Sequence, residues 1–280
     1  MMLKFRRCAL PRNDIMFSAS GLQQTLRFST PSFQSLSLPS TQIRTMTTKF
    51  AFEALPTPTV PIVGTTQEVF PVHRIYCVGR NYADHVKEMG GDTKKNTPIF
   101  FTKPADAVVA SGSEVKYPLA TTNLHYEVEL VVAIGTGGVQ IPQQDALKHV
   151  FGYAVGIDLT RRDLQNQAKA KGMPWDTAKA FDESAPIGAI TKTTNGIMDR
   201  IGDKTIISLT LNQETKQSAK LSEMIWSVPE IVSILSHHFR LQPGDLIFTG
   251  TPSGVGPLQP GDQVQASVEG LTNVKITIVE

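Results

Sequence analysis

Apolar and polar residues along this chain alternate in short runs more often than they recur every three or four positions. Residues 125–132, HYEVELVV, begin as an alternation and end as a β-branched apolar run, which predicts a strand. Residues two apart on a strand point the same way. Glu127 and Glu129 therefore share one face, with Tyr126, Val128 and Leu130 on the other. A second apolar run, 153–158, ends in Asp158 and predicts a strand able to lie beside the first. Further strands are predicted at 74–79, 99–103, 112–117, 204–211, 245–249, 263–269 and 273–279, most of them bounded by Gly, Pro or Asn. Helical patterns are fewer: 80–90, 142–149, 160–172 and 228–239. The third opens on Thr160 as an N-cap and closes on Gly172. Pro142 and Pro229 stand near first turns. His237 and His238 end the last helix, where they suit its dipole without being ligands. Many short strands, few helices and frequent Gly/Pro turns predict one α+β, mostly-β domain.

This pattern places chemistry. Two carboxylates side by side repel, and one of them is expected to hold a proton. A divalent cation removes that penalty. With Asp158 brought alongside, three carboxylates and no cysteine describe a hard-cation site, Mg²⁺ or Mn²⁺ rather than Zn²⁺. Taken alone, the Glu127–Glu129 pair also fits the solvated face of an edge strand. His85 and Glu88 are three apart on the first helix and share a face, as do Arg162 and Gln165 on the third. A carboxylate beside an imidazole raises its basicity and fixes its tautomer, which makes a general-base pair. Taken alone, that spacing also fits a surface ion pair. Lys103 ends the strand 99–103, and Lys179 lies in an apolar setting, AKAF at 178–181. The loop GTPSGVGP at 250–257 lacks the Gly-Lys-Ser/Thr of a nucleotide loop, but its N–H groups and the Thr251 hydroxyl suit a small anion.

Charge divides the chain. Residues 1–50 carry seven Lys/Arg and one acid, a net +6, and the remainder carries −4. The slightly acidic body argues against a nucleic-acid surface. Residues 1–45 are Arg-, Ser- and Thr-rich with short apolar spots between the arginines, the composition of a mitochondrial transit peptide. Met46 offers an internal start and hence a cytosolic form. Residues 46–72 contain Pro56, Pro58, Pro61 and Pro71 and read as an extended entry segment. The catalytic domain is expected over 73–280. Cys8 and Cys77 are the only cysteines, which leaves no disulfide framework and fits a reducing compartment. No apolar run approaches the roughly 20 residues that span a bilayer.

Five stretches in order carry a resemblance: CVGRNYADHV at 77–86, LHYEVEL at 124–130, DLTRRDLQ at 158–165, GMPW with AKAF at 172–181, and GTPSGVG at 250–256. Together they resemble the fumarylacetoacetate hydrolase family, and within it the small mitochondrial acylpyruvase/oxaloacetate decarboxylase type. The resemblance implies a mixed β-sandwich roll and a homodimer. It implies that Glu127, Glu129 and Asp158 bind Mg²⁺ or Mn²⁺, and that His85 and Glu88 form a water-activating dyad on a lid. Arg80, Lys179 and Thr251 match residues that hold an oxalate-like 2-keto acid head. Arg162 and Gln165 match pocket-lining residues, and Lys103 matches the lysine of a Lys-Pro motif. The segment after Glu88, GGDTKKN at 90–96, departs from the pattern and leaves the distal substrate preference open. The implied activity is acylpyruvate C–C hydrolysis, oxaloacetate decarboxylation or keto–enol tautomerisation, through an enolate held at the ion. Alternatives are an isomerase or decarboxylase of hydroxymuconate-type ring-cleavage products, and a non-catalytic dicarboxylate-binding module.

Overall fold

The strand expected at 125–132 is two strands. The computed structural model, which describes residues 50–90, 97–195, 201–202 and 204–280, breaks it at Glu127 into Leu124–Tyr126 and Val128–Ile134. The first piece is the centre of a three-stranded sheet, flanked by Thr160–Arg161 and Gly256–Pro257. The second is central to an eight-stranded mixed sheet, paired with Val150–Ile157 on one side and Asp245–Phe248 on the other. Glu127 is thus the joint between two sheets. The alternation runs unbroken from Tyr126 to Leu130, so the pattern gave no sign of the break. The expected transit peptide at 1–45 and the 91–96 segment lie outside the described residues.

Every residue of Val128–Ile134 is buried, because both faces of the eight-stranded sheet are covered. Leu130, Val132 and Ile134 face a core shared with Ile207, Leu209, Val264, Val268 and Ile276 of a five-stranded sheet. Val131 and Ala133 face a second core with Val60, Ile62, Phe70 and Val72. Burial on both sides explains why this strand reads as a continuous apolar run rather than an alternation. Residues 59–72 supply that second cover: Thr59–Pro61 and Val69–Pro71 pair as an antiparallel hairpin. The architecture is the expected mostly-β sandwich.

Helices close the ends. Val228–His238 starts in a capping box between Ser227 and Glu230 and buries Ile231, Val232 and Leu235 in the first core. The expected helix at 142–149 is the tighter 3₁₀ form over Gln143–His149, with Pro142 as its cap. Thr160 does not cap the third helix. It pairs in the three-stranded sheet, and the helix runs Arg162–Lys171, its first N–H donating to the Asn123 carbonyl (2.8 Å). Gly172 closes this helix in the left-handed conformation, as expected. The polar stretch Glu214–Lys220 is an unexpected strand at the edge of the five-stranded sheet.

Candidate active site

The two sheets meet where the expected ligands gather. Glu129 pairs across from Gly156, and Asp158 follows directly, its N–H donating to the Glu127 carbonyl (2.8 Å). Glu127, Glu129 and Asp158 are buried and offer oxygens that all lie within 4.8 Å of one another. They are on no solvated face. Cations surround them. Lys179 Nζ donates to Glu127 Oε2 (2.8 Å), Asp158 Oδ2 (2.5 Å) and Thr160 Oγ1 (2.6 Å). Arg162 donates to Glu127 Oε1 and to Gln165. Burial opposes ionisation of Glu127, but the Lys179 and Arg162 charges outweigh it and hold the carboxyl well below its usual range. Glu129 has only the Gly250 N–H (2.7 Å). Burial and the charges of Asp158 and Glu127 push its carboxyl well above the usual range.

This donor set fits a hard divalent cation. All three ligands are oxygens, and their mutual repulsion is what such a cation relieves. Asp158 Oδ1 is buried and accepts no hydrogen bond, although Lys103 Nζ lies 2.8 Å away as an ion pair.

Lys103 corrects an expectation. Its side chain is fully buried behind the triad, where Nζ donates to the Leu159 (3.1 Å) and Lys179 (2.5 Å) carbonyls. It does not line the cavity and touches the site only through Asp158 and the Lys179 backbone. The other expected residues converge, except Glu88, which stands behind His85 and does not line the cavity. Arg80, His85, Thr251, Arg162, Gln165 and Lys179 line one cavity with the triad. Trp175 and Phe101 form apolar wall there, and the Lys179 ammonium sits 5.0 Å from the Phe101 ring centre.

His85 is buried on the short helix Ala83–Glu88, and its Nδ1 lies 3.1 Å from Glu88 Oε2. The other Glu88 oxygen accepts the Gly254 N–H (3.1 Å), which ties this helix to the glycine-rich loop. Arg80 precedes the helix at φ 61, a left-handed conformation that costs a non-glycine residue about 1–3 kcal/mol. Asn81 holds that turn. Its Nδ2 donates to the Trp226 (3.1 Å) and Thr249 (2.7 Å) carbonyls, and its Oδ1 accepts the Trp226 N–H (2.7 Å). Gly250 follows Thr249 at φ +99, where an added Cβ would lie 2.6 Å from the Asn81 Cβ.

Four contributors escaped the sequence reading. Gln217, on the polar edge strand, accepts the Val128 N–H at Oε1 (3.0 Å) and donates from Nε2 to Thr251 Oγ1 and the Pro252 carbonyl (both 2.8 Å). Asn81 anchors the turn. His125 accepts from Arg162 Nε at Nδ1 (3.4 Å) and donates to Asn123 (2.9 Å). Burial and the Arg162 charge pull its pKa down to about 4, so it stays neutral. Lys169 lines the cavity beyond Gln165. The 162/165 spacing continued by one turn was the available signal for Lys169. The others depend on contacts remote in sequence.

The family described as "Fumarylacetoacetate (FAA) hydrolase C-terminal" matches residues 74–279. The chain belongs to this family. The mouse protein named "Oxaloacetate tautomerase FAHD1, mitochondrial" is 43% identical over 206 residues, 73% of this chain and 90% of the relative. A Ralstonia "Fumarylpyruvate hydrolase" is 42% identical over 187 residues, 67% of this chain and 95% of the relative. The crystal structure of fumarylpyruvate hydrolase from Pseudomonas aeruginosa, described as in complex with Mn²⁺ and pyruvate, superposes with a TM-score of 0.79 at 46% identity. It covers 82% of this chain and 99% of that one. The chain is thus a family enzyme by similarity as well as by the make-up of its site.

Proposed function

We propose that this family member acts on small 2-keto and 2,4-diketo acids with the help of a divalent cation. The observation that carries the reading is one cavity lined by both a buried carboxylate triad and the His85 imidazole, which is backed by Glu88. Glu127, Glu129 and Asp158 would hold Mg²⁺ or Mn²⁺, which when bound supplies Lewis-acid polarisation of the substrate's carboxylate and 2-keto oxygens. Lys179 and Arg80 offset the charge of the keto-acid head, with Arg162 and Gln165 beside them. Gln217 occupies Thr251 Oγ1 as an acceptor, so the Thr251 hydroxyl proton is free to donate to that head. Glu88 accepts from His85 Nδ1–H and leaves Nε2 as the base. For an acylpyruvate, Nε2 takes a proton from water. The oxygen attacks the distal carbonyl, the C–C bond breaks, and the electron pair left on C3 takes up the proton held on Nε2, so that the products are a carboxylic acid and pyruvate. For oxaloacetate, Nε2 moves only the C3 proton between keto and enol forms, or CO₂ is lost without a base.

The relatives' names support both channels, tautomerisation from the mouse protein and hydrolysis from the Ralstonia and Pseudomonas proteins. The basic, acid-poor leader and the mitochondrial relatives support a matrix enzyme, with a cytosolic form from Met46. The family resemblance supports a homodimer, which light scattering on the purified protein checks. No helix among the described residues is long and apolar enough to cross a membrane.

The test follows oxaloacetate, acetylpyruvate and fumarylpyruvate by NMR, with Mg²⁺, with Mn²⁺ and with chelator. Metal-dependent turnover is expected, together with its loss in Glu127→Gln. A folded, metal-loaded protein that turns over none of the three refutes the reading, and an unchanged rate in Glu127→Gln refutes the ligand assignment.

A further inference from the structure

Arg162, Gln165 and Lys169 stand at i, i+3 and i+7 of the helix Arg162–Lys171 and so run along one face. Burial falls along that face: Arg162 is 4% and Gln165 5% exposed, and Lys169 is half-buried. All three line the cavity that holds the triad. The inner cations are committed. Arg162 is bound to Glu127 and Gln165, and Lys179 to Glu127, Asp158 and Thr160. Lys169 differs, since no side-chain partner holds its ammonium among the described residues. Its nearest charges include Arg80 and Arg162, of its own sign, and burial followed by these two lowers its pKa below the usual lysine range. A half-buried cation beside two others is unfavourable until an anion joins it.

The charge balance points the same way. Arg80, Arg162, Lys169 and Lys179 outnumber the three carboxylates in the cavity, so the site is positive before any divalent cation enters. A cation adds two, and the carboxylate of a keto-acid head returns only one. A positive surplus remains, and Lys169 contributes to it from the outer end of this helix face.

We infer that Lys169 recognises a second, distal carboxylate, so that the site selects 2-keto dicarboxylates over 2-keto monocarboxylates. This rests on the function proposed above. It makes Lys169 a specificity residue for the part of the substrate that does not react. Binding energy from such a part is spent on orienting the reacting carbons. The ammonium needs no other partner to hold it in place, because its stem emerges from a regular helix already fixed by Arg162 and Gln165.

The test compares substrates with the same head. Fumarylpyruvate carries a distal carboxylate and acetylpyruvate does not. Among unreactive probes, 2-oxoglutarate and pyruvate differ in the same way. In Lys169→Met, the ratio of kcat/KM for fumarylpyruvate to that for acetylpyruvate falls about ten- to a hundredfold, the loss of one charge-assisted hydrogen bond. Calorimetry on the Mn²⁺-loaded protein shows 2-oxoglutarate weakened by a similar factor and pyruvate far less. Lys169→Arg restores most of the ratio, and circular dichroism checks that both variants fold. An equal effect on both substrates, or none on either, overturns the inference while leaving the proposed function standing. A wild-type protein that turns over neither diketo acid overturns both.

Discussion

Replacing Gln217 by leucine or glutamate separates its two jobs. The orientation of its amide is fixed from both ends. The Val128 N–H can only donate, so the atom facing it is Oε1, and the Pro252 carbonyl can only accept, so the atom facing it is Nε2. Gln217 is 1% exposed, so no water replaces what is lost. In Gln217→Leu the Val128 N–H is orphaned and the Pro252 carbonyl loses a donor, at a net cost of about 2–4 kcal/mol after the gain in apolar packing. For a domain of this size that lowers the melting temperature by about 5–15 °C. Gln217→Glu keeps the acceptor for Val128 but supplies no donor to Thr251. The threonine hydroxyl then turns to donate to the new carboxylate and away from the cavity. The loss of one substrate hydrogen bond lowers kcat/KM on oxaloacetate about ten- to a hundredfold, more than in the leucine variant, where the hydroxyl still rotates freely. Thermal melts and initial rates on both variants decide it. A leucine variant with the wild-type melting temperature refutes the packing argument. A glutamate variant as active as the leucine one refutes the assigned direction of the Thr251 hydroxyl.

Gly250→Ala forces a Cβ to 2.6 Å from that of Asn81 at a φ of +99; chemical denaturation is expected to show a loss of about 2–5 kcal/mol. Glu88→Gln keeps the size of the side chain but removes the charge beside His85. Acylpyruvate hydrolysis, which needs an activated water, is expected to fall by about a hundredfold in single-turnover rates, and equal rates in the two proteins would exclude the dyad. Burial, followed by the charge of Asp158, pushes the Cys77 thiol well above its ordinary pKa, so at neutral pH it stays protonated and unreactive. In a Cys8→Ser protein, Ellman's reagent is expected to titrate no thiol until denaturant is added.

What could be read from the sequence followed the period of its apolar residues. The strands ending at Lys103 and Leu211 and the strand closed by Ile157 appear close to where alternation and β-branched runs put them. The edge strand Glu214–Lys220 could not be found this way, because its one fully buried side chain is Gln217, itself polar. The break at Glu127 was hidden because the alternation carries across it as far as Leu130. Thr160 looked like a cap, but its hydroxyl is engaged by Lys179 and its backbone by His125. In the site, spacings of two and three residues placed Glu127 with Glu129 and His85 with Glu88. Roles that cross the fold were out of reach: Gln217 reaches Val128 over 89 positions and Asn81 reaches Thr249 over 168. Lys103 was expected as a substrate contact only through the Lys-Pro motif of the family resemblance; here it points behind the triad into the interior.

The candidate ligands stand on or beside the middle strands of the eight-stranded sheet, where each backbone is paired on both sides. Arg80, His85 and Lys169 come instead from a turn and two helices outside that sheet. Heritable variation therefore meets two different tolerances within one pocket. A substitution in the central strands disturbs folding and chemistry together and is purged. A substitution on the turn or the outer helix face alters which acid is held and leaves the reacting groups in register. After gene duplication, such a scaffold can drift from one substrate to another in single steps. A mutant library aimed at new substrates would do best to randomise the turn and the helix face and leave the strands alone.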